Sequence, residues 1–237
     1  MIPKIIHYCW FGGKKIPRSQ VRYINGWQRL HPNFEFIKWT EEDIPSDSQY
    51  LTTALKHKKW ANASNYIRLY ALKKHGGIYL DTDIEILKPF DPFLKYSCFL
   101  GFEKRDAEGD CVNNAVIGAI KEHLFVEDCL RELDSKFDGL EMANLSSPVL
   151  TTNMLRSKSK LEYGKKYLDE WDLQLFPLET FYAYEYRENQ VRENIGDDTF
   201  SIHHYMASWQ PNDRLKWYKK LKAGAVALRN QLLNPFK

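Results

Sequence analysis

No apolar run in the sequence approaches the ~18 residues that a membrane-crossing helix requires, so the chain is expected to be soluble or to lie on a membrane surface. Cysteine is scarce. Cys9, Cys98, Cys111 and Cys129 form neither a Cys-x-x-Cys pair nor a Cys/His spacing typical of zinc, which argues against a disulfide framework or structural zinc and favours a reducing cytoplasm. The stretch Met1 to Tyr8 lacks a basic region followed by a long apolar segment and a small-residue cleavage site, so no secretory signal is expected. Charge of one sign is also missing. Lys and Arg total 34 against 31 Asp and Glu, and the resulting +3 is too small to imply nucleic-acid binding. There is no internal repeat, low-complexity tract or Pro/Gly/Ser linker. A chain of 237 residues with 43% hydrophobic and 14% aromatic content therefore predicts one large core, assigned to residues 1–212, followed by a short appendage at 213–237.

What is present alternates between strand and helix signals. Ile5 to Phe11 reads as a buried first strand closed by Gly12-Gly13, and Pro17 to Leu30 as a helix. Phe34 to Trp39 alternates as a strand before Thr40-Glu41-Glu42-Asp43, a turn placed to cap a following helix. Trp60 to His75 is helical, with Ile67, Tyr70, Ala71 and Lys74 on one side and Gly76-Gly77 as its stop. Ile78-Tyr79-Leu80 then enters a strand ending at Asp81, and Ile84 to Leu87 resumes the extended pattern until Pro89. Asn113 to Leu133 holds a small-residue stretch and then a helical pattern, and Gly139 to Thr152 reads as a loop and cap. The alternation argues for a mixed α/β layer structure.

The residues best suited to chemistry are Asp81 and Asp83. Carboxylates at i and i+2 of an extended segment point to opposite faces, but a turn between them lets both reach one cation. Mg²⁺ or Mn²⁺ prefers oxygen ligands and typically takes one or two protein carboxylates together with substrate phosphates. Asp-x-Asp after an apolar strand thus suits a metal-bridged nucleotide diphosphate, although surface pairs of this kind are common.

The stretch Ala63 to Leu72, followed by Gly76-Gly77-Ile78-Tyr79-Leu80-Asp81-Thr82-Asp83, resembles glycosyltransferase family 32, which includes the yeast initiating mannosyltransferase and the catalytic domains of clostridial glucosylating toxins. The matching pattern is a Ser-Asp-x-x-Arg helix, a Gly-Gly turn and Asp-x-Asp. Ile2 to Gly12 and His203 to Trp209 resemble that family's ends as well. The resemblance implies a GT-A fold, a nucleotide-binding α/β sandwich with a mixed central sheet flanked by helices. It implies that Asp83 binds the cation directly, that Asp81 contacts the donor ribose or sugar, that Arg68 approaches the donor sugar or phosphates, and that Trp10 lies near the base. It also places Ser208 and Trp209 in a loop closing over the diphosphate. One departure is visible: Asn65 stands where the pattern has an aspartate bonded to donor sugar hydroxyls, which puts sugar specificity in doubt.

Each residue also has a structural reading. Arg68 on a helix could pair with Glu85 or Asp81, Trp10 could be core, and Trp209 could be a helix-packing aromatic. A neutral imidazole is a familiar third metal ligand, and of His203 and His204 the latter is the one assigned here. Asp213 to Lys237 carries seven Lys and Arg against one acid, interleaved with Leu215, Tyr218, Leu221, Ala225, Leu228 and Leu232, the profile of a basic amphipathic C-terminal helix that either packs on the domain or meets an anionic membrane surface.

The reaction implied by the resemblance is metal-dependent transfer of a hexose or N-acetylhexosamine, with retention, from a nucleotide-sugar, UDP-linked ahead of GDP-linked, to a hydroxyl of a glycan or lipid-linked oligosaccharide. The setting expected from bacterial members is surface polysaccharide, capsule or lipopolysaccharide synthesis at the cytoplasmic face of the inner membrane. Two other classes compete. A haloacid-dehalogenase-type phosphatase also uses Asp-x-Asp after a strand, but its motif lies near the chain start and continues with Thr or Ser, whereas Asp83 precedes Ile84-Glu85-Ile86. A non-catalytic nucleotide-sugar or glycan binding module is the alternative that Asn65 keeps open.

Overall fold

The computed structural model describes residues 1–206 except 46, 107, 110, 165, 187 and 189–194. The chain separates into a compact unit Met1–Tyr205 and a second unit Met206–Lys237. The expected boundary at 212/213, the basic C-terminal helix, and Ser208 and Trp209 all lie outside the described residues.

A seven-stranded mixed sheet organises the first unit. Its strands are β1 (Ile5–Cys9), β2 (Glu35–Trp39), β3 (Gly77–Leu80), β5 (Cys98–Phe102), β6 (Val112–Ala119), β7 (Lys166–Leu168) and β8 (Leu173–Phe176), and their order is β2-β1-β3-β6-β5-β8-β7. β1 lies parallel to both β2 and β3, while β6 runs antiparallel between β3 and β5. β4 (Ile84–Ile86) and β9 (Ser201–His203) pair antiparallel as a separate ribbon. Among the described residues the α-helices are α1 (Arg18–Leu30), α2 (Gln49–Lys56), α3 (Trp60–His75), α4 (Leu124–Lys136), α5 (Leu150–Lys158) and the short α6 (Leu178–Phe181). This is the mixed sheet flanked by helices expected from the sequence. Among the described residues no helix is long and apolar enough to cross a membrane, and all four cysteines are buried and free.

α1 forms on an amphipathic repeat: Gln20, Tyr23, Ile24 and Trp27 face inward at helical spacing. The Trp27 indole donates to Ile84 O at 2.8 Å, which holds β4 against the helix. α3 differs from its expected one-sided pattern. Asn62, Ala63, Asn65, Tyr66, Ile67, Arg68, Leu69, Ala71 and Leu72 are all buried, because the helix is wedged between the sheet and its neighbours α2 and α4. A helix covered on several sides has no solvent stripe to betray its period. α2 starts later than the Thr40 to Asp43 turn suggested: its N-cap is Ser48, whose hydroxyl accepts from Leu51 N at 3.1 Å, and Thr40 instead closes a local turn with Asp43. Gly139 to Thr152, read as loop and cap, contains a π-helical turn, Leu145–Val149, that leads directly into α5.

The junction between α3 and β3 is held by His7. The Trp39 indole can only donate, and it reaches His7 Nδ1 at 3.2 Å, so Nε2 carries the proton and donates to Gly76 O at 2.8 Å. Gly77, at φ +108, lets β3 start hard against β1, where a Cβ would come 2.7 Å from Ile5 O. Burial lowers the His7 pKa to about 4, with the Gly76 bond opposing it. The folded state therefore excludes a proton that the unfolded chain binds near 6.5, and stability is lost as pH falls from about 6.5 to 4. The loss attributable to His7 is about 3 kcal/mol. Urea unfolding of His7→Gln should show a shallower fall over this window than the wild type; equal pH slopes would contradict the assignment.

Candidate active site

The Asp-x-Asp pair sits where β3 ends. Asp81 N donates to Ala115 O at 2.9 Å, the last rung beside β6, and Ile84 N turns back to Asp81 O at 3.0 Å. That single turn brings the two carboxylates to one side, as the spacing required. β4 then pairs with β9 in a register that sets Ile84 opposite His203, and His204 N donates to Asp83 O at 3.1 Å. The result is a cluster of Asp81, Asp83 and His203 whose potential ligand atoms all lie within 4.8 Å of one another.

The histidine at this cluster is His203 rather than the assigned His204. His203 Nε2 lies 3.4 Å from Asp83 Oδ1, while the His204 imidazole reaches Glu85 Oε2 at 2.8 Å and stacks on Tyr23, ring centroids 4.7 Å apart. Neighbouring residues on a strand project to opposite faces, so only one of the two can face the carboxylates. The His203 ring also lies against Tyr205 at 3.9 Å. Burial disfavours its charged form, but Asp83 together with Asp81 and Glu103 outweighs that, and the net pKa shift is upward.

Arg68 supports the pair from behind. Its side chain is 7% exposed and its Nη2 donates to Asp81 Oδ1 at 3.0 Å, so of the two partners open to it the structure selects Asp81. The guanidinium also lies 4.8 Å over the Tyr79 ring and 3.4 Å from both Ser64 O and Ser147 Oγ. Burial opposes its charge most strongly, but Asp81 together with Tyr79, Cys9 and Tyr182 more than restores it, and the pKa rises. Beside it, burial pushes the Cys9 thiol up to about 12, leaving it a small apolar filler.

Asn65 does not point to open space. Its amide Nδ2 donates to Ala143 O at 2.8 Å and to Ser146 Oγ at 3.1 Å, holding the segment that carries Ser147 to Arg68. Trp10 follows β1 directly. Because β1 and β3 are parallel with His7 opposite Tyr79, Trp10 sits at the same sheet end as the Asp-x-Asp turn, half-buried. Ligands of open α/β sheets bind outside such strand ends. Along β6, Asn113 bonds Glu103, and Asn114 donates to Thr151 Oγ1 at 2.7 Å. Reading the sequence alone overlooked Ser147, Tyr79 and Glu103, whose charge bears on His203. Ser147 had no detectable signal, since its approach depends on the π-helical turn.

A sheet whose strand end presents two carboxylates, an imidazole and a buried guanidinium suits a cation-bridged diphosphate, the kind of ligand a GT-A fold holds. Comparison with known proteins agrees. Residues 17–100 match the family described as "Glycosyltransferase sugar-binding region containing DXD motif", and residues 119–204 match the "Alpha 1,4-glycosyltransferase conserved region". Both family models describe glycosyltransferases, and the first is defined by the DXD motif that Asp81-Thr82-Asp83 supplies in this chain. It is 31% identical over 137 residues to inositol phosphoceramide mannosyltransferase 3 of Schizosaccharomyces pombe, covering 56% of this chain and 37% of that protein. It is 27% identical over 174 residues to alpha-1,4-N-acetylglucosaminyltransferase of Homo sapiens, covering 71% and 48%. The chain thus spans less than half the length of these two curated relatives. Among solved structures, the PaToxG glycosyltransferase superposes with a TM-score of 0.56 at 21% identity, covering 66% of this chain and 69% of that one. A glycosyltransferase involved in glycosylation of the major capsid of PBCV-1 gives 0.50 at 14%, covering 86% and 95%. These structures establish the fold.

The two aspartates differ in what they support. Removing one partner of a buried ion pair costs about 3 kcal/mol, because the other charge stays buried and unpaired. Asp81→Asn should therefore lower unfolding stability by roughly that amount, and Asp83→Asn, which leaves the Arg68 pair intact and faces a histidine that can give up its proton, by less. Paired urea titrations check the contrast, which equal losses would overturn.

Proposed function

We propose that this chain is a metal-dependent, retaining glycosyltransferase that moves a hexose or N-acetylhexosamine from a nucleotide-sugar, UDP-linked ahead of GDP-linked, to a hydroxyl of a glycan or lipid-linked acceptor. The observation that carries the proposal is the turn at Asp81 to Ile84, which converges two carboxylates and His203 on one point. Two oxygens and one imidazole nitrogen suit Mn²⁺ or Mg²⁺ and leave positions for diphosphate oxygens and water. Asp83 and His203 would hold the ion, with Asp81 beside them; when bound, it supplies positive charge that stabilises the departing nucleoside diphosphate.

The chain's own residues do the rest. Arg68 fixes the orientation of Asp81 and keeps a buried positive charge behind the diphosphate site. Trp10, at the same sheet end, offers an aromatic face to the base. Ser208 and Trp209 are assigned to the loop that closes over the diphosphate and excludes water. No carboxylate is assigned as a covalent nucleophile. The preferred route is front-face transfer, in which the leaving phosphate oxygen takes the proton of the acceptor hydroxyl as the glycosidic bond breaks, so the anomeric configuration is kept. Relatives named for mannosyl and N-acetylglucosaminyl transfer support both sugar classes, and one named for inositol phosphoceramide supports a lipid-linked acceptor.

Thermal denaturation with a panel of nucleotide-sugars, with and without Mn²⁺, is the direct test. A ligand bound only to the native state raises stability with its concentration relative to Kd. The expected result is stabilisation by one nucleotide-sugar that requires Mn²⁺ and vanishes in Asp83→Asn, together with loss of transfer in that variant. NMR of the product should show an α linkage from an α-linked donor. Near-normal turnover of Asp83→Asn in EDTA, or a β-linked product, would contradict the proposal, and protection of the donor without turnover would mark a binding module instead.

We place the enzyme at the cytoplasmic face of a bacterial inner membrane, building surface polysaccharide or lipooligosaccharide. The support is the basic, leucine-bearing sequence Asp213 to Lys237, since each Lys or Arg near an anionic leaflet contributes about 1 kcal/mol. Full-length protein should co-sediment with anionic vesicles at low salt. Replacing Lys216, Lys219, Lys220 and Lys222 by Gln should abolish this, and unchanged pelleting would exclude the assignment.

A further inference from the structure

Between Gly139 and Ala143 the chain runs along α2 and α3 and fastens to them at every second residue. A Cβ on Gly139 would come 2.5 Å from Tyr50 O and 3.0 Å from Ala54 N, Asn62 Nδ2 donates to Glu141 O at 3.1 Å, and Asn65 Nδ2 donates to Ala143 O at 2.8 Å. Side chains between and after these anchors are left to solvent. Leu140 is 38% exposed, Met142 62% and Leu145 37%, so three of the eight large hydrophobic side chains exposed among the described residues fall within six positions. Scattered apolar side chains need no explanation, but a group of them marks a contact surface. Cations adjoin this group. Lys56, Lys58 and Lys59, in the turn from α2 to α3, are exposed and join no ion pair among the described residues. Lys59 N donates to Ala54 O at 2.8 Å, so the lysine run and the apolar segment meet on the same residue of α2. Lys58 holds φ +57, a left-handed conformation that glycine or asparagine adopts more readily. The acids of the segment are turned on its own backbone: Asp138 Oδ1 accepts from Leu140 N at 2.9 Å, and Glu141 Oε2 from Gly139 N at 3.1 Å.

We propose that this face is a docking surface for an anionic lipid bilayer, into which Leu140, Met142 and Leu145 insert while Lys56, Lys58 and Lys59 lie at the headgroups. Aliphatic side chains flanked by lysines suit an interface that is apolar within and negative at its surface. Other occupants fit less well. A second copy of the chain would bring its own lysine run to the same place, and the basic stretch 213–237 has the same sign. The surface also lies at the Asp-x-Asp end of the sheet. Trp60, which follows the lysines, is so close to Gly12 that a Cβ there would lie 3.0 Å from its indole, and Gly12 is two residues beyond Trp10. Farther along, the same stretch of chain brings Ser147 to within 3.4 Å of Arg68. Docking here therefore turns the Asp-x-Asp end of the sheet toward the bilayer. That a lipid-linked acceptor is met there rests on the transferase reading above, whereas the docking stands on its own residues.

The test uses the full-length chain with Met142→Cys carrying an environment-sensitive fluorophore, which the four buried native cysteines leave as the reactive position, and a control label at Leu124→Cys. Leu124 is exposed and follows β6, whose Ala119 pairs with Gly77 at the start of β3, so it lies toward the opposite end of the sheet. With vesicles of phosphatidylglycerol and phosphatidylcholine, emission from the label at position 142 should brighten and shift to the blue, while the label at position 124 stays unchanged. Neither should respond to phosphatidylcholine alone. Lys56→Gln, Lys58→Gln and Lys59→Gln together should weaken binding to the anionic vesicles about tenfold, with the affinity for uridine diphosphate and Mn²⁺ unchanged. A label at position 142 that stays in water while the protein co-sediments overturns the proposal and leaves attachment to residues 213–237 alone. Wild-type partitioning of the lysine variant, or an equal response to phosphatidylcholine, overturns it as well. A blue shift that grows with protein concentration in the absence of lipid identifies a second copy as the occupant and also overturns it. Failure of uridine diphosphate to bind counts against the transferase reading only, because the vesicle measurement does not depend on it.

Discussion

The buried ion pair between Arg68 and Asp81 is the constraint from which the rest of the site follows. A guanidinium almost removed from water cannot be left alone, because an unpaired buried charge costs several kcal/mol. The pair therefore binds the middle of α3 to the end of β3, two elements that the chain joins through the tight Gly76-Gly77 turn. Once Asp81 is held there, the backbone turn to Ile84 determines where Asp83 points. The β4–β9 ribbon, braced by Trp27 on Ile84, then determines which histidine arrives. Three carboxylate or imidazole groups converge because each is tied to a different layer of the fold.

Local patterns revealed the parts of this scheme that are local. The limits of α3, the Gly-Gly stop, the strand before Asp81 and the turn between the aspartates are encoded by residues a few positions apart, and they were legible. The motif spacing carried the family resemblance for the same reason. Pairing across the chain was not legible. Nothing near His203 records that β9 pairs with β4 in a register setting it opposite Ile84, and a shift of one residue would present His204 instead. β6 lies antiparallel in the middle of the sheet, its position resting on partners more than thirty residues away for β3.

Helical elements were misjudged where burial or backbone irregularity hides the signal. α3 shows no solvent stripe because neighbours cover it, and its polar members Asn62, Asn65 and Arg68 each spend their hydrogen bonds inside the protein. The segment Leu145–Val149 contains Ser146, Ser147 and Pro148, residues that read as loop. A π-helical turn at such a place is costly by itself and tends to occur where function needs an irregular backbone. Here it directs Ser147 toward Arg68.

Asn65 shows how the chain's one visible departure from the family pattern fits its own surroundings. Its Nδ2 is a donor to a carbonyl and a hydroxyl, a task no carboxylate performs. Ser146, which it meets, lies 3.0 Å from the Tyr50 hydroxyl, and that hydroxyl lies 2.8 Å from Glu141 Oε1. Glu141 already accepts from Asn62 Nδ2 at 2.7 Å and from Gly139 N at 3.1 Å, so this half-buried network contains one acid and donors enough to satisfy it. An aspartate at position 65 would bring a second negative group to the same chain of bonds and face the Ala143 carbonyl without a proton to give. Partly satisfied buried networks are costly, whereas a complete one gives a segment a single position. The amide is thus matched to Glu141 and to the path of residues 139–147. With Asn65 turned to Ala143, Ser147 and the Arg68 guanidinium are polar groups that this wall presents near the Asp-x-Asp turn.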